Sequence, residues 1–217
     1  MKGAEKRMIN IDIQTLEIFG DEVFTFKMPN HQEWKNQIEN IVKVEENSSI
    51  HNFSTEPKEE CNVKARRTAW DSHLRYETVS NLSKKINEII LHLIKSKDFD
   101  APDIYVVDSW INWYKKNNFV EPHSHGPGHL SIVYFVDVEK TNAQFMFHKQ
   151  TSWQLIKKKD RKNLFTNFAK IVDVKDGDVL MFPTSTRHSV SANLTDNLRI
   201  TYASNVHVQY LEERSSY

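Results

Sequence analysis

Histidines are the residues of this 217-residue chain whose spacing could do chemistry, and three of the ten lie within seven positions: His123, His125 and His129. Residues two apart in a β-strand point to the same face, so we expect His123 and His125 to project side by side. Two neighbouring imidazoles can share one metal ion. An HxH pair alone is also compatible with ordinary core or surface histidines, so the rest of the sequence must decide.

A third histidine follows a strand signal later in the chain. A turn over residues 176–178 leads into an apolar segment that ends at Pro183, and His188 comes shortly after it. If the sheet closes on itself, His188 can reach the His123/His125 pair from a facing strand. Three ligands on one side of a metal leave positions open for water, oxygen or a chelating substrate, as in non-haem Fe(II) oxygenases.

Arg199 interrupts an otherwise apolar segment and is the candidate for binding an anion. Thr201, Ala203 and Asn205 share its face of the predicted strand. A guanidinium inside a barrel needs an anionic partner, because an unpaired buried charge is costly. A dicarboxylate cosubstrate could supply that partner in a bidentate manner. A surface arginine on an edge strand is the alternative interpretation.

The composition excludes several other classes of function. The 29 basic residues balance the 29 acidic ones, so the basic excess of a phosphate-binding protein is missing. We interpret the basic run 157–162 as a solvated surface. Five glycines do not form either common phosphate-binding loop, and the single cysteine, Cys61, excludes an internal disulfide and a cysteine-rich metal site.

The segments that must position these residues divide the chain in two. Strand-like segments and two helices, the clearer one over Glu77–Ser96, precede residue 100. Residues 101–208 are short β-branched or aromatic segments separated by turns, which is typical of a sandwich or barrel. We therefore predict a single domain over residues 1–217, mainly β, in which a mixed α/β lead-in (1–100) packs on a β core (101–208).

The order of these features resembles a family of 2-oxoglutarate/Fe(II)-dependent oxygenases. That family is common in marine bacteria and their phages and is distantly similar to prolyl hydroxylases. The resemblance covers about residues 101–207 and implies a double-stranded β-helix (jelly-roll) core. Seven pieces carry it: Ser109-Trp110-Ile111-Asn112, His123-x-His125, Leu130-Ser131-x-Val133-Tyr134, Gly177-x4-Phe182-Pro183, His188, Arg199 and Asn205.

The resemblance implies a metal site made by His123, His125 and His188. His125 takes the place of the family's carboxylate ligand, so three neutral imidazoles would leave the iron its full charge. Glu121 is in phase with the histidine pair and could supply a carboxylate. His129 is a further candidate ligand, although the Gly-Pro-Gly turn before it is expected to carry it away.

The resemblance also assigns the cosubstrate and substrate positions. Arg199 and Ser131 are expected to bind the far carboxylate of 2-oxoglutarate, while Phe135 stands where the family often has a tyrosine. Asn112 and Asn205 are expected to line the substrate side. The implied activity is a dioxygenase that hydroxylates an unknown substrate, and the similarity to prolyl hydroxylases suggests a peptide or protein side chain.

Two alternatives remain open at this stage. A three-histidine cupin-type dioxygenase or isomerase would not use 2-oxoglutarate; Gly177-x5-Pro183-x-Ser185-x2-His188 is close to the second cupin motif, but that chemistry does not require Arg199. A non-enzymatic β-helix binding protein would use the histidines structurally and the five tryptophans as stacking platforms.

The expected partners follow from the resemblance and from the composition. They are 2-oxoglutarate, molecular oxygen and an unknown substrate, without nucleic acid or membrane, and a homodimer stays open. The N-terminal residues lack an apolar signal segment, and a free thiol suits a reducing compartment. We therefore expect a cytoplasmic location, in the host cytoplasm if the protein is phage-encoded.

Overall fold

The computed structural model describes residues 11–47, 63–97, 103–126, 128–149 and 168–209. Cys61 and the basic run 157–162 lie outside the described residues. The elements follow in this order: β1 (Gln14–Ile18), β2 (Asp21–Lys27), α1 (His31–Asn47), β3 (Val63–Lys64), β4 (Arg66–Arg67), α2 (Ser72–Arg75), α3 (Glu77–Ser96), β5 (Asp103–Tyr114), β6 (Phe119–His123), β7 (Leu130–Asp137), β8 (Phe145–His148), β9 (Ala169–Val172), β10 (Asp178–Pro183), β11 (His188–Val190) and β12 (Arg199–Gln209).

The strands form two antiparallel sheets, which confirms the predicted mainly-β fold with N-terminal helices. The larger sheet has the order β1-β2-β10-β7-β12-β5-β4, and the smaller has the order β3-β6-β11-β8-β9. Strands β1 and β2 come from the predicted lead-in, yet they form one edge of the larger sheet. The lead-in therefore completes the sheet as well as packing on it.

The helices cover the outer face of the larger sheet. Helix α3 has the predicted bounds, because its apolar residues recur every three or four positions and form one buried stripe. Those residues pack with α1 against outward-facing side chains such as Tyr134 and Tyr202. Each fully buried aliphatic side chain contributes about 1.5–3 kcal/mol. None of the helices within the described ranges is long and apolar enough to span a bilayer.

A second apolar core lies between the two sheets. The larger sheet contributes Phe135 and Phe182, and the smaller contributes Phe145 and Phe147. Strand β7 is buried along almost its whole length because alternate residues enter the two cores. This inner core matters for function, since Phe145 and Phe182 also contact the ring of His188.

Candidate metal and cosubstrate site

The structure brings the three predicted histidines together. His123, His125 and His188 each offer one ring nitrogen, and these atoms lie within 4.8 Å of one another. Nε2 of His123 and Nε2 of His125 are 3.2 Å apart. Three nitrogen donors this close can hold one metal ion.

The backbone places these rings differently from the expectation. His188 does not approach from a facing strand: β6 and β11 are neighbours in the smaller sheet, and His188 is paired directly with His123. His125 lies beyond the end of β6, and its backbone N–H donates to the carbonyl oxygen of Thr184 over 2.9 Å. Register across one strand pair, and not closure of the barrel, therefore brings His188 to the site.

Backbone carbonyl groups fix the orientation of two of the rings. Nδ1 of His123 donates to the carbonyl oxygen of Glu121 over 2.9 Å, and Nδ1 of His188 donates to that of Thr186 over 3.0 Å. A carbonyl oxygen can only accept, so Nδ1 carries the proton and Nε2 keeps its lone pair. Both rings therefore present a free Nε2 to the shared centre.

Asn205 orients the third ring. Its Nδ2 donates to the Asp108 carboxylate over 2.7 Å, which turns its Oδ1 towards Nδ1 of His125, also at 2.7 Å. Ser131 Oγ lies 2.9 Å from the same Nδ1 and donates to Asn205 Oδ1. Because the amide oxygen can only accept, Nδ1 of His125 carries the proton and Nε2 is free to bind a metal.

The surroundings keep the imidazoles neutral. Burial lowers the pKa of His123 and of His125. The pKa of His188 is lowered furthest, first by burial and then by the other two imidazoles. Rings with Nε2 unprotonated are the form that binds a metal.

Two further candidate ligands lie outside the cluster. The Glu121 side chain is exposed, and the residue takes part only through its carbonyl oxygen. His129 is carried away, as expected: its Nδ1 accepts a hydrogen bond from the backbone of Val208, and its ring packs on His207 at a centroid distance of 4.1 Å. The described residues therefore provide an all-histidine cluster without a carboxylate.

Arg199 is buried, with 1% of its surface exposed, so the alternative of a surface arginine is wrong. Its Nε and Nη2 are buried and have no hydrogen-bond partner among the described residues. Burial lowers the pKa of Arg199 to about 10, which still leaves the guanidinium charged at neutral pH. A buried cation with two unpaired donors is expected to receive an anion.

Tyr114 and Thr201 lie beside Arg199. Tyr114 is the direct cross-strand partner of Arg199, and its hydroxyl is hydrogen-bonded to the side chain of Thr201. The Arg199 guanidinium also lies 5.7 Å from the ring centroid of Phe135. Phe135 has no hydroxyl group, although the family often has a tyrosine at that position. Tyr114 supplies a hydroxyl group beside Arg199.

The structure corrects the expected role of Ser131. Ser131 is paired with Asn205, six residues along β12 from Arg199, which corresponds to about 20 Å of strand. Its hydroxyl contacts His125 and Asn205. Ser131 therefore belongs to the histidine end of the site and cannot share a carboxylate with Arg199.

A cavity of about 420 Å³ lies over the inner face of β5 and β12. All three histidines line it, and Tyr114 and Thr201 line the part next to Arg199. Asn112 and Asn205 also line it, and Asn205 is in addition hydrogen-bonded to His125 and Asp108. The volume lies within the range of small-molecule sites. A chelating dicarboxylate suits such a site, since nitrogen ligands for a metal line the cavity and its far part is lined by Tyr114 and Thr201, the neighbours of the buried Arg199.

Sequence reasoning overlooked several residues that line this cavity. Beside the predicted Asn112, three alternate positions of β5 point into it: Asp108, Trp110 and Tyr114. Their spacing of two residues was readable as one face of a strand. Only the pairing with β12 shows that this face is the inner one.

The geometry agrees with a family comparison. The sequence profile of the family described as "Putative 2OG-Fe(II) oxygenase" matches residues 108–205, the span that holds the three histidines and Arg199. The protein is therefore an oxygenase whose cofactors are Fe(II) and 2-oxoglutarate, which confirms the predicted enzyme class and cofactors. No curated protein matches the chain in sequence.

Solved structures of 2OG-Fe(II) oxygenases share the fold. The carbocyclase SnoK from nogalamycin biosynthesis is 16% identical with a TM-score of 0.60, over 85% of this chain and 80% of that one. A prolyl-4-hydroxylase from Pseudomonas putida is 10% identical with a TM-score of 0.56, over 92% of this chain and 93% of the hydroxylase. HygX from Streptomyces hygroscopicus, solved with nickel, 2-oxoglutarate and hygromycin B, is 11% identical with a TM-score of 0.56, over 85% and 82%. These likenesses confirm the double-stranded β-helix.

Proposed function

We propose that this oxygenase hydroxylates a C–H bond of its substrate, with a metal held by His123, His125 and His188 and 2-oxoglutarate held by Arg199. The observation that carries the proposal is the buried Arg199, whose Nε and Nη2 have no hydrogen-bond partner in the part of the chain that the structure describes. A cation in that state is costly unless an anion binds it, and the distal carboxylate of 2-oxoglutarate is such an anion.

The bound cofactors would supply the oxidation: 2-oxoglutarate loses CO₂, one atom of O₂ enters succinate, and the other forms the new hydroxyl group of the product. The residues of the chain bind and orient. Arg199 and Tyr114 hold the far end of the cosubstrate. Phe145 and Phe182 pack on His188 and exclude water from one side of the metal position.

The all-histidine cluster affects which chelator binds. Three neutral imidazoles leave the full charge of a divalent metal, whereas a carboxylate ligand would reduce it by one. The charge then favours an anionic chelator. This argument supports 2-oxoglutarate over the cupin alternative, whose chemistry gives Arg199 no partner.

The proposal is tested by the affinity for 2-oxoglutarate in Arg199→Ala. We expect the dissociation constant, measured anaerobically with Fe(II) by calorimetry, to rise roughly 100-fold, because charge-assisted bonds are lost. Tyr114→Phe should raise it by up to roughly tenfold. Iron binding should persist in both variants. Arg75→Ala, which removes an exposed arginine on α2, is the matched control.

An unchanged affinity in Arg199→Ala would contradict the role of Arg199. Iron retention without conversion of 2-oxoglutarate to succinate by the wild-type protein would favour the cupin alternative. Loss of thermal stability on metal removal, with no oxygen consumed by the loaded protein, would favour a binding protein.

We also infer the cellular setting and partners from the sequence. The cytoplasmic location, the origin from a marine bacterium or its phage, and a single domain over residues 1–217 stay predictions. The balanced charge supports the absence of a nucleic-acid partner. Light scattering on the purified protein tests the open question of a homodimer.

A further inference from the structure

One wall of the cavity is built by a segment that the oxygenase chemistry does not use. Residues 67–71 run beside β5: Arg67 is paired with Asn112, and the carbonyl oxygen of Trp70 accepts a hydrogen bond from Ser109 over 2.7 Å. Thr68 Oγ1 also accepts one from the backbone of Ile111 over 2.9 Å. These backbone bonds hold Arg67 and Trp70 at the cavity.

The side chains on this wall combine two adjacent indoles with three polar groups. We call this surface the indole wall and define it as Arg67, Trp70, Asp108, Trp110 and Asn112, all of which line the cavity.

The two indoles lead from solvent to the histidine cluster. The Trp70 and Trp110 rings meet edge to face with centroids 4.5 Å apart, and the Trp110 and His125 centroids are 5.5 Å apart. Trp70 is 47% exposed, whereas Trp110 is buried. The Arg67 guanidinium stacks on Trp70, 3.8 Å from the ring centroid. A molecule that entered beside Trp70 would therefore pass over aromatic surface as far as His125.

Polar groups with unused hydrogen-bonding capacity lie between the indoles. Asp108 gives Oδ1 to Asn205, and its Oδ2 has no partner among the described residues. The Asn112 side chain lines the cavity and makes no hydrogen bond within that same part of the chain. A half-buried carboxylate oxygen and a buried amide of this kind are expected to be satisfied by a ligand.

The charge and shape of the wall indicate the ligand that would fit it. Arg67 and Asp108 carry opposite charges, so the wall is neutral as a whole. Its apolar ring faces alternate with donors and acceptors. The complement of such a wall is an uncharged ring that has apolar C–H groups on its face and hydroxyl groups around its edge.

We propose that the substrate is a polyhydroxylated ring compound, a sugar or a glycoside, held on the indole wall; this inference rests on the proposed function. The C–H face of the ring stacks on one of the two indoles while its edge contacts the other, and its hydroxyl groups bond to Asp108 and Asn112. The ring of a peptidyl proline would cover the indoles, but the proline has neither a hydroxyl nor an N–H group of its own to donate to Asp108.

Ligand-observed NMR tests the inference on the full chain loaded with 2-oxoglutarate and Zn(II), a diamagnetic substitute for Fe(II). The probes are methyl pyranosides of glucose, galactose and mannose, with a proline-rich peptide for comparison. We expect saturation transfer to the ring C–H protons of at least one glycoside. Its affinity should fall roughly tenfold in Trp70→Ala and in Asn112→Ala, and largely persist in Trp70→Phe.

Leu74→Ala, which removes an exposed apolar side chain on α2, is the matched control and should bind the glycoside as the wild type does. A wild-type protein that takes up 2-oxoglutarate but binds no glycoside, or binds one equally well in Trp70→Ala and Asn112→Ala, overturns this inference and leaves the proposed function intact. Binding of the peptide alone also overturns it. Failure of the wild-type protein to take up 2-oxoglutarate overturns the proposed function instead.

Discussion

Nδ1 of His125 lies 2.7 Å from Oδ1 of Asn205, whose own amide nitrogen donates to Asp108 over 2.7 Å. The carboxylate therefore determines the orientation of the amide, and the amide determines which nitrogen of His125 carries the proton. The three clustered side chains are all histidines. The Asp108 carboxylate nevertheless acts on the cluster through two hydrogen bonds, one from Asn205 to the carboxylate and one from His125 to Asn205. Asn205 thus positions the His125 ring, and it also lines the cavity, where its contact with a substrate stays a prediction.

Asn205→Ala tests this relay. Removing the acceptor frees the His125 ring to rotate and to exchange its proton position, so we expect the affinity for Fe(II) to fall roughly 10–100-fold. Anaerobic titration of the apo-protein with Fe(II) measures the change. Ser131→Ala removes a weaker contact to the same nitrogen and should have a smaller effect. An iron affinity in Asn205→Ala equal to that of the wild type would show that the His125 ring does not depend on Asn205.

Arg199→Met should separate binding from stability. In the absence of a cosubstrate, Arg199 is a buried cation with unpaired nitrogens, and an apolar side chain of similar length avoids that cost. We expect the apo-variant to unfold at a temperature equal to or above that of the wild type.

The same variant should lose its response to 2-oxoglutarate. For the metal-loaded wild type, a ligand at about 100 times its dissociation constant adds about 2.7 kcal/mol of stability, and Arg199→Met should gain almost none. Differential scanning fluorimetry with and without 2-oxoglutarate measures both effects. A large destabilisation of the apo-variant would mean that Arg199 is paired in the folded protein.

The elements that the sequence predicts well are those determined by their own residues. Helix α3 has the predicted bounds because twenty residues carry one uninterrupted stripe. Strand β6 was expected only around the histidine pair, and its bounds could not be predicted, because Glu121 and Pro122 interrupt any alternation within its five residues. Strands β3 and β4 have two residues each, and they exist only through their pairing with β6 and β5.

The candidate site divides in the same way. The histidines and Arg199 are visible in the sequence because their residue types are unusual in apolar strands. The relay through Asn205 is not visible, because it depends on β12 lying between β7 and β5, which places Asn205 opposite both Ser131 and Asp108. The role given to Ser131 was wrong for the same reason. A motif shows the residue type, but it does not show which residue of β12 lies opposite Ser131, and that residue is Asn205 and not Arg199.

Gly177→Ala should destabilise the fold for two separable reasons. Gly177 has a φ of +88°, and an added Cβ would lie 3.2 Å from Cγ of His31. The backbone conformation alone costs about 1–2 kcal/mol in the free energy of unfolding. Gly20→Ala isolates that cost, since Gly20 has a φ of +97° and an added Cβ there has no neighbour within 4 Å.

Gly126→Ala is the third member of the series. Gly126 has no positive φ and no atom within 4 Å of an added Cβ, so little change is expected. Urea unfolding of the three variants should rank them with Gly177→Ala least stable and Gly126→Ala most stable. A stability of Gly177→Ala equal to that of Gly20→Ala would show that His31 moves aside without cost.

His31 should make part of the stability depend on pH. Its Nδ1 is 2.7 Å from the Tyr134 hydroxyl, and its pKa is lowered, first by burial, although Asp176 opposes the shift. The unfolded chain then binds a proton more readily than the folded protein. The contribution is fully present above the unfolded pKa of about 6.5, and it is lost as the pH falls through that value towards the folded pKa.

His31→Asn retains a nitrogen or oxygen near the position of Nδ1 but cannot titrate. Between about pH 7.5 and pH 5.5, we expect the free energy of unfolding of the apo-variant to fall less than that of the wild type. Urea unfolding at each pH measures the difference, and the other histidines cancel because both proteins contain them. His92→Asn on the exposed face of α3 is the matched control. A pH dependence of His31→Asn as steep as that of the wild type would mean that the buried pair with Tyr134 persists when His31 is protonated.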